Sequence, residues 1–450
     1  MNLSSLLTFN RGRSLFLPFH GRGRALPIEM KRLLRSNPGV WDLPELPDLG
    51  GPLEVHGAIA DSQKESAQIV GADHCWYGVN GATGLLQAAL LAMAKPGQGI
   101  LLPRNVHRSV INACILGDLV PIFFDLPFLS DRGHVKNPDD EWLKKILHSI
   151  DGLNIKIQAC VFVNPTYQGY SSNMKVLIDR LHKYGVPVLV DEAHGAHFLF
   201  ANQSNLPLSA LSSGADLVVN SLHKSSIGLV QTAVLWMQGD LVDLELLETK
   251  LSIFQTSSPS SLLLASCQST ISESTSSHGR KRIMERLEDA QNIFSNLKRL
   301  GLPLLTNQDP FKLILHTAPY GISGFQADDC FISKGLVGEL PEPGTITFCL
   351  GLASQRGLVS FMNKRWENLL SLYPKNKPLS PFIRPPIPLV SAPSIPLGSL
   401  FKYKSCKIPI QQAIGRTASE MVCPYPPGIP LVFPGEILDE KRIFWLSDQQ

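Results

Sequence analysis

Four short stretches of the chain carry side chains suited to holding a flat, anionic, electron-withdrawing ring. Val188–His197 reads VLVDEAHGAH. Here an apolar strand ends in Asp191, at the carboxyl end of the strand, where open α/β sheets bind ligands. A carboxylate there can pair with a protonated ring nitrogen, and capping a following helix is an equally good use of it. Ser221-Leu222-His223-Lys224 follows the strand-like Asp216–Asn220. A lysine kept partly neutral by burial and nearby positive charge can form a Schiff base. Ser221 and His223 would then face a phosphate, although most loop lysines are simply solvated. Gly78–Gly84, GVNGATG, precedes a helix, so Ala82, Thr83 and Gly84 can offer backbone N–H groups and a positive helix end to an anion. A plain tight turn explains the same residues. The stretch is neither a Walker loop nor a GxGxxG fingerprint. Arg104–Ser109, RNVHRS, sets His107 just past another strand, where an imidazole can stack on a heteroaromatic ring.

Each stretch alone is weak, but their order is informative. A phosphate cup, a stacking group, a pyridinium partner and a Schiff-base lysine occur in succession, the last three each after a strand. Those are the parts that pyridoxal 5'-phosphate (PLP) needs to act as an electron sink for a bond broken at Cα. The elements that must position them alternate. Strands are expected at Ile100–Pro103, Val120–Phe124, Ala159–Val163, Pro187–Val190, Leu217–Val219 and Thr232–Met237. Helices are expected at Gly84–Ala94, Ser109–Leu116 and Met174–Tyr184. Buried β-branched strands separated by helices predict a mostly parallel sheet covered on both faces.

Beyond this unit, Asp243–Leu300 reads as helical, broken by the Ser-rich Thr256–Ser261, and Leu302–Leu370 as a smaller α/β unit. Eight prolines between Ser371 and Gly398 predict an extended surface crossing. Ile408–Glu420 is expected to be helical, followed by the proline-rich Pro424–Glu436. The predicted organisation is an N-terminal segment (1–50), a PLP-binding large domain (51–245), a helical connection with a small α/β domain (246–370), and a proline-rich linker with a C-terminal domain (371–450).

Hydrophobic residues make up 44% and charged residues 18% of 450, which suits packed domains rather than disorder. A net charge of +3, without a basic stripe, argues against nucleic acid or an anionic membrane as partner. The eight cysteines are scattered without a CxxC, so neither zinc nor a disulfide scaffold is expected and a reducing cytoplasm fits. No apolar run is long enough to cross a bilayer. Residues 1–28 carry four arginines and no acidic residue, as a transit peptide would. The apolar stretch there is too short for a signal core, and His20 and Gly23 read as part of the enzyme.

Taken together, these segments resemble the bacterial ornithine/lysine/arginine decarboxylases of PLP fold type I, in the short form without an N-terminal wing domain. The resemblance runs over nearly the whole chain. It is carried by Pro18-Phe19-His20-Gly21-Arg22-Gly23, Asp42–Leu46, Gly57-Ala58-Ile59, and the NGATG, RNVHRSV, NPTYQG, DEAHGAH and SLHK segments in order. Pro424–Pro430 (PYPPGIP) and Pro434-Gly435-Glu436 complete it. It implies Lys224 as the Schiff-base lysine, Asp191 as the pyridinium partner, His107 stacked on the ring, and His194 near the ring oxygen or substrate. Thr83, Ser221 and His223 would hold the phosphate. Gln255–Ser260, with Ser257 and Ser258, resembles a segment that reaches the neighbouring subunit's cofactor, which implies a homodimer or larger homo-oligomer with shared sites. The implied activity is decarboxylation of a basic amino acid, arginine before lysine or ornithine, in polyamine biosynthesis, with His107 or Lys224 returning a proton to Cα. His20 and Glu339 are the candidate substrate contacts, although a surface glutamate explains Glu339 equally simply.

Several positions depart from the pattern. Phe19 replaces a glycine, Ser225-Ser226-Ile227 replaces Thr-Leu-Pro, Ser261 replaces a tyrosine, and Ser266-Cys267-Gln268 loses the acid of Ser-Leu-Asp. These leave room for another fold type I activity, an aminotransferase or aldol-type lyase, or for a non-catalytic homologue acting as a partner.

Overall fold

A computed structural model describes residues 12–37, 39–44, 46–150, 155–200, 206–374, 376–423 and 430–448. Its centre is an eight-stranded sheet formed mainly by β1 (His74–Gly78), β2 (Gly99–Pro103), β3 (Val120–Phe124), β4 (Ile157–Val163), β5 (Val188–Asp191), β6 (Leu217–Asn220) and β7 (Ala233–Met237). The order is β3-β2-β4-β5-β6-β7-β1, with Val390–Ser391 added beyond β3. β2 to β6 run parallel, while β7 is antiparallel to both β6 and β1.

Alternation along each strand divides the core between the two faces of this sheet. Leu101, Ile122, Cys160, Val188, Val190 and Val218 pack on one side, and Ile100, Phe123, Val161, Leu189, Val219 and Leu235 on the other. Both faces are therefore covered by apolar packing among the described residues, and ligands of such sheets bind at the carboxyl edge. The expected strands all form, within one or two residues of their predicted ends. β1 was not expected: His-Cys-Trp-Tyr-Gly shows no alternation, and it becomes a strand by pairing with β7 in register Tyr77–Val234.

The helices that shape the site are α1 (Gly81–Met93), which begins inside the GVNGATG stretch, α2 (Arg108–Leu116), α3 (Leu222–Ser225), a single turn that carries Lys224, and α4 (Leu244–Phe254). The Ser-rich break falls as predicted before α5 (Ser261–Thr275), which leads into α6 (Ser277–Arg299). Ser276 starts α6 by accepting from the Gly279 amide at 3.0 Å.

The second unit is a four-stranded sheet that includes β8 (Lys312–His316), β9 (Leu340–Pro341) and β10 (Thr345–Cys349), paired antiparallel, with helices at Gly324–Ser333 and Leu358–Leu372. The N-terminal residues strap it to the large sheet. Arg13 and Ser14 pair in parallel with Leu336 and Val337. The Phe19 amide then donates to the Lys224 carbonyl at 3.0 Å, and the Phe19 carbonyl accepts from Leu352 at 2.9 Å.

One expectation fails in the C-terminal region. Ile408–Glu420 is not a helix: only Ile410–Gln412 turns, as one 3-10 element. Pro409 precedes that turn, Gly415 adopts a φ of +75°, and Thr417 bridges to Ile437 instead. Of this stretch only Ala413 and Ala418 are buried, so a helix would have no apolar face to dock. The proline-rich crossing also does more than cover the surface, because Val390 and Ser391 pair with Phe124 and Phe123. The PYPPGI stretch, 424–429, lies outside the described residues. The PGE that follows docks on the sheet: Arg104, at the end of β2, pairs with Glu436, and Arg442 meets the same carboxylate at 3.1 Å. Phe123 stacks on Phe433 with ring centroids 3.8 Å apart.

Candidate active site

A cavity of about 870 Å³ opens at the carboxyl edge of the large sheet. Ala82, Thr83, His107, Asp191, His194, Ser221, His223, Lys224 and Glu339 all line it. The four stretches that are dispersed in sequence thus meet in one place.

Strand geometry decides which acid of the Asp191-Glu192 pair faces the cavity, since successive residues point to opposite sides. Asp191 lines it, and its Oδ1 accepts from the Ala193 amide at 3.1 Å. Glu192 is fully buried elsewhere, taking N–H bonds from Ala210 at 2.7 Å and Asn220 at 3.1 Å. Burial pushes its carboxyl up to about 8, so it is a structural acid.

Lys224 stands on the single turn α3 with its carbonyl held by Phe19. Burial lowers the amine's pKa, and the Asp191 carboxylate opposes that shift. That shift favours the neutral amine, the form that covalent chemistry at a carbonyl requires. The departure at Ser225 reinforces the turn: its Oγ accepts from the Ala196 amide at 2.8 Å and so ties the lysine turn to the Asp191 loop. Lys224 Nζ lies 3.2 Å from His194 Nε2. Burial, followed by the charge of Lys224, holds His194 well below its ordinary 6.5. With Lys224 as the donor, the neutral ring accepts at Nε2 and carries its proton on Nδ1. Nδ1 is buried and has no protein partner.

His107 is exposed at the cavity wall and caps α2. Its Nδ1 accepts from the Ser109 amide at 3.2 Å and lies 2.8 Å from Ser109 Oγ. The neutral ring consequently keeps its proton on Nε2. Burial lowers its pKa, with Asp191 opposing and Lys224 adding to the effect. His223 has the reverse arrangement. Its Nδ1–H donates to the Thr232 carbonyl at 2.9 Å, which leaves Nε2 as an acceptor in the neutral ring. Burial lowers this pKa too, so His223 can donate to a phosphate only when the anion itself draws a proton onto Nε2.

The residues fit PLP. Ser221 Oγ, Asn105 Oδ1 and His194 Nδ1 are buried atoms without a protein partner on residues that line the cavity, and buried polar atoms need partners. Ala82 and Thr83 lie in the first turn of α1. Gly84 sits behind them: a Cβ there would stand 3.2 Å from the Phe254 carbonyl, so this glycine lets α1 pack on α4 and is not part of the lining. His20 is also set back. It is buried and accepts from the Gly23 amide at 2.8 Å. Ser257 and Ser258 are exposed, outside this chain's own cavity.

Tyr167 was missed as a site residue, although its NPTYQG segment was recognised. Its ring lies 4.0 Å from that of His194, and Lys224 Nζ is 5.9 Å from its centroid. Nothing in the sequence separates it from other loop tyrosines except the strand that precedes it. Met421, Cys423 and Pro430 bring the C-terminal region to the same cavity.

The chain matches the family model for the Orn/Lys/Arg decarboxylase major domain over residues 38–328, and that for the C-terminal domain over 387–447. The chain belongs to the Orn/Lys/Arg decarboxylase family. It is accordingly a PLP-dependent carboxy-lyase acting on a basic amino acid. Among relatives, it is 28% identical to an arginine decarboxylase of Halalkalibacterium halodurans, covering 96% of this chain and 89% of that one. It is 29% identical to an arginine decarboxylase of Bacillus subtilis, with the same coverage. Lysine decarboxylase A from Pseudomonas aeruginosa superposes with a TM-score of 0.76 at 18% identity, covering 90% of this chain and 69% of that one. At that identity the likeness establishes the fold. No helix among the described residues is long and apolar enough to cross a membrane.

Proposed function

We propose that this family member decarboxylates arginine, with Lys224, Asp191 and His107 as its catalytic residues. The observation that carries the assignment is the meeting of these three groups in one cavity with a carboxylate, Glu339, contributed by the small sheet. The matched arginine decarboxylases cover almost the whole chain, which favours arginine over lysine and ornithine.

Bound PLP supplies an electron sink for the pair released when a bond at Cα breaks. The chain's own residues do the rest. Lys224 would hold the cofactor through its side-chain amine. Asp191 supplies the negative charge that keeps the ring nitrogen protonated. Ala82, Thr83, Ser221 and His223 hold the phosphate at the start of α1. His107 carries a proton on Nε2 at the cavity wall and delivers it to Cα after carbon dioxide leaves, with Lys224 as the rival donor. Glu339 Oε2 is fixed by the Leu17 amide at 2.8 Å, which leaves Oε1 for the substrate's distal cation.

The family fold and the exposed Ser257 and Ser258 support a homo-oligomer in which that segment completes a neighbour's site. The absence of pairing among the eight cysteines fits a cytoplasmic enzyme whose product amine enters polyamine formation. The deciding experiment incubates the purified protein with PLP and each basic amino acid in turn, then identifies the amine. Agmatine with one equivalent of carbon dioxide is expected from arginine. Cadaverine or putrescine as the main product would overturn the substrate assignment, and none of the three would overturn the activity.

A further inference from the structure

The arginine-rich N-terminal stretch meets the catalytic site through the Phe19 amide, which holds the Lys224 carbonyl, but its arginines lie elsewhere. Arg13, Arg22 and Arg24 line a second cavity, of about 1030 Å³, together with Arg282 and Arg286 of α6 and Arg356 of the small unit. The same lining contains a single acidic residue, Glu285. Six arginine residues from three distant segments therefore line one concave surface. Like charges in a cleft raise the local potential and repel one another unless an anion joins them.

Two of these arginines are ion-paired within the chain. Arg282 meets Glu273 at 3.2 Å and Arg286 meets Asp289 at 2.7 Å, both acids lying outside the lining. Arg24 bonds only to backbone carbonyls, of Gly21 at 3.0 Å and Ser354 at 3.4 Å. Arg13 lies over the Phe361 ring, and Arg356 is exposed with no partner among the described residues. Arg282 Nε is buried without an acceptor, although a buried donor is normally satisfied. The backbone is shaped for this approach. Gly21, at φ +55°, has no room for a Cβ, which would lie 2.7 Å from Ala353 Cβ and 3.1 Å from Arg24 Nη2.

We propose that this cavity binds a small, multiply charged oxyanion, and that the catalytic site senses its occupancy. The planar fork of each arginine matches phosphate or carboxylate oxygens. The path inward is short and covalent. Residue 21 lines the second cavity, while the preceding residues hold the first: Phe19 N–H grips the Lys224 carbonyl at 3.0 Å and Leu17 N–H grips Glu339 at 2.8 Å. An anion that draws Arg24 toward Arg356 pulls on the strap that positions both groups. By linkage, whatever it does to substrate binding, substrate does to anion binding.

The test titrates inorganic pyrophosphate, citrate and chloride separately into the PLP-loaded enzyme by calorimetry, which does not depend on which amino acid is the substrate. Pyrophosphate and citrate compare phosphate with carboxylate chemistry, and chloride reports ionic strength alone. One of the two polyanions should bind saturably, and Arg356→Glu should weaken it by about tenfold or more. Arg299→Glu, roughly 20 Å further along α6 by helical rise, makes the same change in net charge and should leave binding intact. The binding polyanion should also change KM at least about fivefold in the parent enzyme, and not in Arg356→Glu. Failure of both polyanions to bind overturns the site, as does equal loss in the two variants. Binding with unchanged KM overturns the coupling. If Arg356→Glu instead dissociates an oligomer and no anion binds, the groove is a subunit contact and the proposal falls.

Discussion

On the sheet side of the catalytic cavity, Asp191, His107 and Lys224 stand just beyond strands whose residues are almost all buried. On the opposite side, Glu339 and Leu340 come from the small sheet, and Met421, Cys423 and Pro430 from the C-terminal region. The first wall is fixed by the apolar core on both sheet faces, so its side chains hold their positions before any ligand arrives. The second is assembled from contacts between separate units, such as Leu17 with Glu339 and Arg104 with Glu436. The division suggests that bond-breaking chemistry belongs to the rigid wall and substrate choice to the docked one. Substitutions on the first should then affect kcat, and substitutions on the second KM.

The largest effect is expected at Lys224. Lys224→Ala removes the anchor, and turnover should fall roughly a thousandfold or more, read as amine formed per enzyme, while the fold and its melting temperature are kept. His107→Gln comes next. It keeps a polar cap for α2 but not a proton donor of the right acidity. kcat should drop by about two to four orders of magnitude, and PLP retention, read from the visible absorbance of the desalted enzyme, should largely survive. Loss of PLP together with kcat would move His107 from the proton to the binding role.

Glu339→Gln tests the other wall. Losing one charge-assisted hydrogen bond should raise KM for arginine by roughly tenfold to a hundredfold with a smaller change in kcat. A kcat effect alone would assign Glu339 to positioning Lys224, whose amine it also influences. The smallest effect concerns acid stability. His194 is held well below 6.5 when folded, so the unfolded chain binds more protons as pH falls below that value. Its contribution is therefore complete above about pH 6.5 and declines progressively below it. His194→Gln should flatten the melting temperature against pH over that range, and an unchanged slope would place the acid sensitivity elsewhere.

Much of this arrangement was legible beforehand. VLVD and LVVN are buried, β-branched and short, so they could only be interior strands, and chemistry just past their ends followed from topology. β1 was illegible because its Trp and Tyr pack on both sides and its pairing is with β7, far along the chain. The failed helix at Ile408–Glu420 had acceptable composition but no core to dock against. Gly84 was assigned to the phosphate cup because a glycine near an anion and a glycine under a helix look identical in sequence. Tyr167 could not be selected because its role comes from His194 beneath it.

The order of residues alone thus settled the parallel sheet and singled out the lysine and the acid as candidates, because each depends on local pattern and on which end of a strand a residue occupies. Only the folded chain decided that Glu192 turns away while Asp191 faces the cavity, that Phe19 grips the Lys224 turn, and that six arginines from three segments share one cleft. Those outcomes depend on through-space distances between segments far apart in sequence, which burial and docking fix and which no local pattern encodes.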